Sequence, residues 1–299
     1  MTALTEDDIL ILLAHYSGLT RKEKWAIVHE WMPQLVDGPY KDKNKVKLTY
    51  QKKHAFLTYL KTRSLTSLKE TYAKQSINMV TLASDYYPYL LKHIYDPPFV
   101  LFFKGDLSLL DFPLMGVVGA RECTQYGKQA LDRVLPELVE HNVGIVSGLA
   151  KGIDAYAHKE TIRLQGKTIG IIGTGLDVTY PRDTVALQAH LSLHHLVLSE
   201  YPLGTPPRKH HFPMRNRIIS GLSDGVLVIE ARARSGSLIT ARMALEEGRD
   251  VFAVPGSIFS ELSKGCNDLI KLGAIPVTEA SDILNEWKSD KNVKHFSMK

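Results

Sequence analysis

Six short runs of mostly apolar residues, at 114–118, 144–147, 168–172, 196–200, 226–230 and 250–254, punctuate the last two-thirds of this chain. Most are continuous rather than alternating, the pattern of strands buried on both faces. Helical spacing fills most of the gaps between them, at 127–141, 153–165, 182–193 and 238–247. Strand, helix, strand, helix predicts an α/β fold with a doubly wound, mostly parallel sheet. A last short strand is placed near 274–277.

The N-terminal part reads differently. Ile9, Leu12 and Leu13, then Trp25, Ile27, Val28 and Trp31, recur at helical spacing on either side of Gly18. Two short helices joined by a turn fit this, ended by Pro33, Gly38 and Pro39, with a further helix at about 51–60. The chain therefore divides into an all-helical unit over 1–75, an α/β domain over 76–287 and a polar, frayed tail over 288–299.

Charge is unevenly spread. Between Lys41 and Lys74 ten Lys or Arg stand against Asp42 and Glu70, a net of +8, while the rest of the chain carries −3. Such an excess suits a polyanion, although a solvated helix face explains this run at least as well. Apolar content of 44% and charged content of 23% are those of a soluble globular protein. No apolar run is long enough for a membrane span. Glu6, Asp7 and Asp8 are the wrong charge for a secretory leader. Cys123 and Cys266 form no C-x-x-C pair. A cytoplasmic protein is expected, with no membrane partner.

In a parallel sheet, ligands bind where the strands end. The loops there are Gly119-Ala120-Arg121, Gly148-Leu149-Ala150-Lys151-Gly152-Ile153-Asp154, Gly173-Thr174-Gly175 and Arg232-Ala233-Arg234-Ser235-Gly236-Ser237. Small residues allow close backbone approach, helix N-termini offer free N–H groups, and Arg and Lys add positive charge. Four such loops on one rim point to a phosphate-binding face. Gly173-x-Gly175-x-x-Val178 lacks the third glycine of the dinucleotide fingerprint, and there is no P-loop, so no nucleotide cofactor is expected.

In the segment Phe212-Pro213-Met214-Arg215-Asn216-Arg217-Ile218-Ile219-Ser220 two arginines flank an asparagine, just after Arg208, Lys209, His210 and His211. Their close spacing is read as lining the groove beside Ser235-Gly236-Ser237-x-x-Thr240; pairing with Asp224 and Glu230 is the alternative. Catalytic constellations are lacking. Cys123 has no neighbouring base, His194-His195 and His210-His211 are adjacent pairs that point apart, and no acid or thiol completes a metal site. His158 follows Asp154 by one helical turn, which suits a structural hydrogen bond. Asp154 and Glu230 are the carboxylates expected near the rim.

These loops together resemble the DNA-processing protein A (DprA, also called Smf) family. The matching residues include Tyr87-Pro88, Asp96-Pro97-Pro98, Lys104-Gly105, Val117-Val118-Gly119-Ala120-Arg121, Tyr126-Gly127 and Ser147 through Asp154. They continue through Ala157-His158, Gly173 to Asp177, Tyr180-Pro181, Ser199-Glu200-Tyr201-Pro202 and Phe212 to Ile219. Glu230-Ala231, Ser235 to Ala241, Gly248-Arg249, Val254-Pro255-Gly256 and Gly265-x-Asn267-x-Leu269-Ile270 close the series, which spans about 86–284. Position 120 is Ala where many relatives have Ser.

The resemblance implies an extended Rossmann-like domain that binds single-stranded DNA without sequence preference. It implies transfer of that strand to the recombinase RecA during natural transformation, relief of the block imposed by single-strand-binding protein, and a homodimer. The N-terminal unit is similar to the sterile-alpha-motif-like (SAM-like) domain of some members, and the winged-helix extension of others is expected to be missing. The candidate DNA- and phosphate-binding set is Gly119, Arg121, Ser147, Gly148, Lys151, Gly152, Gly173, Gly175, Arg215, Asn216, Arg217, Ser235, Gly236, Ser237 and Thr240, with Tyr156, Tyr180 and Phe212 as stacking candidates. No catalytic residue and no metal ligand is expected. The competing reading is a nucleotide phosphoribohydrolase-like enzyme on the same fold. Aligning its glycine-turn motif puts Met243 where that enzyme needs its glutamate, with Glu246 and Glu247 a turn further on.

Overall fold

The computed structural model describes residues 4–35 and 46–289. Lys41, Lys43 and Lys45 of the basic run, and residues 290–299 of the expected tail, lie outside them. Helices α1 (Glu6–His15) and α2 (Arg21–Trp31) both open with a capping box, Thr5 with Asp8 and Thr20 with Glu23. Each box ties down two otherwise unpaired N–H groups and fixes where the helix begins. Helices α3 (Tyr50–Thr62) and α4 (Leu65–Ala73) complete the helical part.

The remainder alternates β1 (Asn78–Thr81), α5 (Tyr89–Lys92), β2 (Val100–Gly105), β3 (Leu114–Val118), α6 (Gln125–Glu140), β4 (Gly144–Gly148), α7 (Ile153–Arg163), β5 (Thr168–Ile172), α8 (Val185–His194) and β6 (Leu196–Ser199). It continues with α9 (His211–Leu222), β7 (Gly225–Val228), α10 (Gly236–Glu246), β8 (Asp250–Ala253), α11 (Lys264–Lys271), β9 (Ile275–Pro276) and α12 (Ser281–Ser289). Helix α12 runs past 287, where the α/β domain was expected to end.

One sheet holds the strands in the order β1-β2-β6-β5-β4-β3-β7-β8-β9. From β6 to β9 every neighbouring pair is parallel. Strand β2 runs against both β1 and β6. Successive side chains of a strand point to opposite faces, so a continuous apolar run feeds two cores. Met115, Val117, Ile145, Leu227 and Phe252 join Leu131, Leu135 and Leu138 of α6 and Trp287 of α12. Val118, Val146, Val226, Val228 and Val251 face the other way, with Leu191 of α8, Ile218 and Leu222 of α9 and Ala241 of α10.

The helices α1–α4 share that second core. Leu10, Leu12, Trp25, Phe56 and Tyr72 are buried in one cluster with Phe99, Phe102 and Leu198. Tyr72 stacks on Phe102 at 5.1 Å between centroids, and Trp25 meets Phe99 at 4.7 Å. A segment of this length is below the size that stabilises itself well, and the strand pair β1–β2 gives its apolar face a partner.

Candidate nucleic-acid interface

The chain leaves β3 for β4, β5 and β6 on one side and later returns to β7 and β8 on the other. Where the winding direction reverses, loops diverge and leave a crevice at the strand ends. A cleft of about 720 Å³ opens there, lined by the loops after β3 and β7, the start of α7 and the N-terminal turns of α9 and α10.

Arg215 forms part of its lining, although the residue is only 5% exposed. Its Nε and Nη1 are buried without a hydrogen-bond partner. The nearest carboxylate oxygen, Asp154 Oδ2, is 3.9 Å from Nη1. Burial pulls the guanidinium's pKa down, against the opposing pull of Asp154, and burial pushes the Asp154 carboxyl up, against Arg215. Buried donors of a charged group left unpaired are costly, on the order of 1–3 kcal/mol or more each, unless an acceptor arrives. Gly148 makes the arrangement possible, because a Cβ there would lie 1.7 Å from Arg215 Nη1. Behind it, buried His158 holds the Gly148 carbonyl through Nε2 at 2.9 Å, with Nδ1 2.6 Å from the Thr168 hydroxyl. Burial depresses the His158 pKa to about 4, so the ring is neutral there.

The N-terminus of α10 forms the facing wall. Its N-cap Ser235 makes no side-chain cap bond, and its hydroxyl lies 2.8 Å from that of Ser237 instead. A Cβ at Gly236 would meet nothing within 4 Å, so the first turn opens onto the cleft. Uncapped N–H groups and the helix dipole favour an anion at this end. Thr240 lines the same wall with a buried, unpartnered hydroxyl, and Asn216 Nδ2 lies 3.4 Å from the Gly236 carbonyl.

Arg121 sits over the Phe212 ring, 6.0 Å from its centroid, and Tyr180 is 5.6 Å from that ring. All three border the cleft. Gly119 and Gly152 bring the first two loops together. A Cβ on Gly119 would strike Ile153 at 2.6 Å, and one on Gly152 (φ +78°) would strike the Ala120 carbonyl at 2.2 Å. Lys151, expected on the rim, does not line the cleft; it borders a smaller side pocket and is ion-paired with Asp183. Lys209, Arg232 and Glu122 also line the cleft, and none of them was in the expected set.

Several expected residues are elsewhere. Arg217 points away from the cleft and is ion-paired with Glu200 and Asp96, because two residues along a helix is a turn of about 200°. Ser147 is buried, its hydroxyl donating to the Val117 carbonyl at 2.6 Å. Gly175 packs against the 200–205 loop, where a Cβ would meet the Pro202 carbonyl at 2.7 Å. The Gly173 carbonyl is 3.0 Å from His211 Nδ1, and Gly173 borders a smaller side pocket rather than the main cleft. Tyr156 donates to Asp132 at 2.7 Å, and Glu230 accepts from the Thr124 N–H and hydroxyl; neither lines the cleft.

Met243, Glu246 and Glu247 are also absent from the cleft lining; Glu247 accepts from the Tyr95 N–H at 2.8 Å. Burial raises the Cys123 thiol's pKa, the opposite of activation. Among the described residues no His, Cys, Asp or Glu cluster can hold a metal ion, and no helix is long and apolar enough to cross a membrane. Of the basic run, Lys52, Lys53 and Lys69 are ion-paired with Glu23, Glu30 and Asp8.

The family model described as DNA recombination-mediator protein A matches residues 78–288. The chain belongs to this family. It is 52% identical over 214 residues to the DNA processing protein DprA of Streptococcus pneumoniae, across 72% of this chain and 76% of that one. With the DprA of Bacillus subtilis it shares 49% identity over 225 residues, 75% of either chain. The X-ray structure of the pneumococcal protein matches with a TM-score of 0.82 at 43% identity, covering 95% of this chain and 99% of that one. A structure of the Helicobacter pylori DNA processing protein A, which concerns that protein's single-stranded-DNA binding mode, matches with a TM-score of 0.64 at 32% identity, over 71% and 97%. The recombination-mediator match begins at β1, so helices α1–α4 lie outside it.

Proposed function

We propose that this chain binds single-stranded DNA across the cleft, without sequence preference, and serves as a recombination mediator rather than as an enzyme. The observation that carries this reading is Arg215, a buried guanidinium on the cleft wall whose Nε and Nη1 lack acceptors. A backbone phosphate supplies such acceptors, and the opened first turn of α10 supplies further donors to it. Arg121 adds charge above Phe212 and Tyr180, where a base can stack whatever its identity.

In this reading the bound strand is protected and passed to RecA, with single-strand-binding protein displaced, in the cytoplasm of a cell taking up DNA. A second copy of the chain completes the mediator. Half-buried Ile275 in β9, the last strand of the sheet, with half-buried Ile270 and the 84% exposed Leu272 just before it in the chain, supports a dimer through this edge. The non-enzymic reading is supported by Met243 at the position where a phosphoribohydrolase needs its glutamate, and by Glu246 and Glu247 lying outside the cleft.

Mobility shifts with single- and double-stranded DNA of the same sequence test the proposal. Retardation of the single strand at much lower protein concentration is expected; equal or preferential retardation of the duplex contradicts it.

A further inference from the structure

The side of α9 that faces away from the cleft is held by four charged residues from four parts of the chain. Arg21 of α2 reaches Asp96 Oδ2 at 2.5 Å through Nε and Glu200 Oε2 at 2.9 Å through Nη1. Arg217 of α9 contacts the same two oxygens, Asp96 at 3.4 Å through Nε and Glu200 through Nη2. Trp25, one turn beyond Arg21, donates to the other Asp96 oxygen at 2.9 Å. The carboxylates therefore lie between two arginines, one from the helical part and one from the helix that carries Arg215 and Asn216. The Arg217 and Glu200 side chains are 7% and 6% exposed. In such surroundings removing one member leaves uncompensated charge and is strongly unfavourable, so the four move together or not at all.

Helix α9 has little freedom to absorb a shift. Arg215 Nη1 already occupies the space where a Cβ on Gly148 would stand, and Asn216 lies against the Gly236 carbonyl. We propose that Arg21 and Arg217 are positioning residues: through Asp96 and Glu200 they fix the rotation of α9, and the helical part α1–α4 thereby sets the strand affinity of a cleft it does not line. This rests on reading the cleft as the site for single-stranded DNA. It also assigns a purpose to helices that lie outside the family match.

The test uses the full chain, a fluorescent oligothymidylate and the variants Arg21→Gln and Arg21→Lys. Thermal unfolding shows whether each variant folds, and anisotropy at several salt concentrations gives affinity and its salt slope. Arg21→Gln is expected to fold and to bind about five- to tenfold more weakly at every salt concentration, the size of a modest coupling between sites. Its log–log slope stays that of the wild type, because no phosphate contact is lost. Arg21→Lys keeps the charge but not the fork that spans both carboxylates, and is expected to fall between the two. If Arg21→Gln does not fold, Arg21→Lys carries the same comparison. Coupling is reciprocal, so saturating oligothymidylate should slow amide exchange in α2 of the wild type by a similar factor.

A folded Arg21→Gln chain with wild-type affinity overturns the proposal. So does a slope shallower by about 0.7, which marks Arg21 as a phosphate contact itself. A wild-type chain that fails to bind the oligothymidylate removes the reading of the cleft and the coupling with it; a wild type that binds beside an indifferent Arg21→Gln removes the coupling alone.

Discussion

Arg215 Nη1 lies 3.9 Å from Asp154 Oδ2, close enough to feel its charge, yet Nη1 makes no hydrogen bond. The site therefore holds a buried cation whose nearest counter-ion leaves donors unused. Gly148 permits this by having no side chain, and it gives a sharp contrast with Gly152.

In Gly148→Ala the atoms nearest the new methyl are the far end of a long side chain, with Arg215 Nη1 at 1.7 Å. The guanidinium is expected to swing aside with little effect on the thermal midpoint, while affinity for single-stranded DNA falls about tenfold, or about 1.4 kcal/mol. In Gly152→Ala the methyl meets the Ala120 backbone carbonyl at 2.2 Å from a φ of +78°. That variant is expected to lose about 2 kcal/mol of stability. Denaturant melts and anisotropy on both variants separate the two outcomes.

The six runs that predicted β3 to β8 were legible because each strand is buried on both faces, and their observed bounds differ from the expected ones by two residues at most. Strand β2 was not expected: Pro97-Pro98 reads as a break, and its neighbour β6 comes from far along the chain. Helix α9 was hidden by Pro213, which is tolerated because it falls in the first turn. That omission also misplaced Arg217. Without a helix, Arg215 and Arg217 look like a matched pair; on one, they face the cleft and an ion cluster respectively. Ser147 and Gly175 lay in the correct loops, but their packing partners, Val117 and Pro202, are distant in sequence.

The buried His158 makes stability depend on pH. Its folded pKa of about 4 is below the unfolded value near 6.5, so the unfolded chain binds more protons between them. Its contribution is complete above about pH 6.5 and is lost as the pH falls toward 4, by up to roughly 3 kcal/mol. Denaturant melts from pH 4 to 7 on the wild type and on His158→Gln should show a steeper decline for the wild type. Parallel curves would mean that the ring is not buried in its neutral form.

Sedimentation of the full chain should give a dimer, and Leu272→Arg should shift it toward monomer while leaving the fold intact. A dimer unaffected by this change, but lost when residues 1–75 are removed, would assign the contact to the helical part.

A panel of nucleoside monophosphates should release no free base on incubation with the protein. Steady release abolished by Glu246→Gln or Glu247→Gln would restore the phosphoribohydrolase reading.

The most direct test is anisotropy of labelled oligonucleotides of several sequences, over a salt series, on the wild type, on Arg215→Ala and on a charge reversal of Lys47, Lys52 and Lys53. The wild type should bind all sequences alike and weaken steeply with salt. Arg215→Ala should bind at least about tenfold more weakly, with a slope shallower by about 0.7 for the lost phosphate contact. The lysine reversal should cost much less, since Lys52 and Lys53 are already paired with Glu23 and Glu30. Normal binding by Arg215→Ala together with failure of the lysine variant would contradict the account and move the binding site to the helical part.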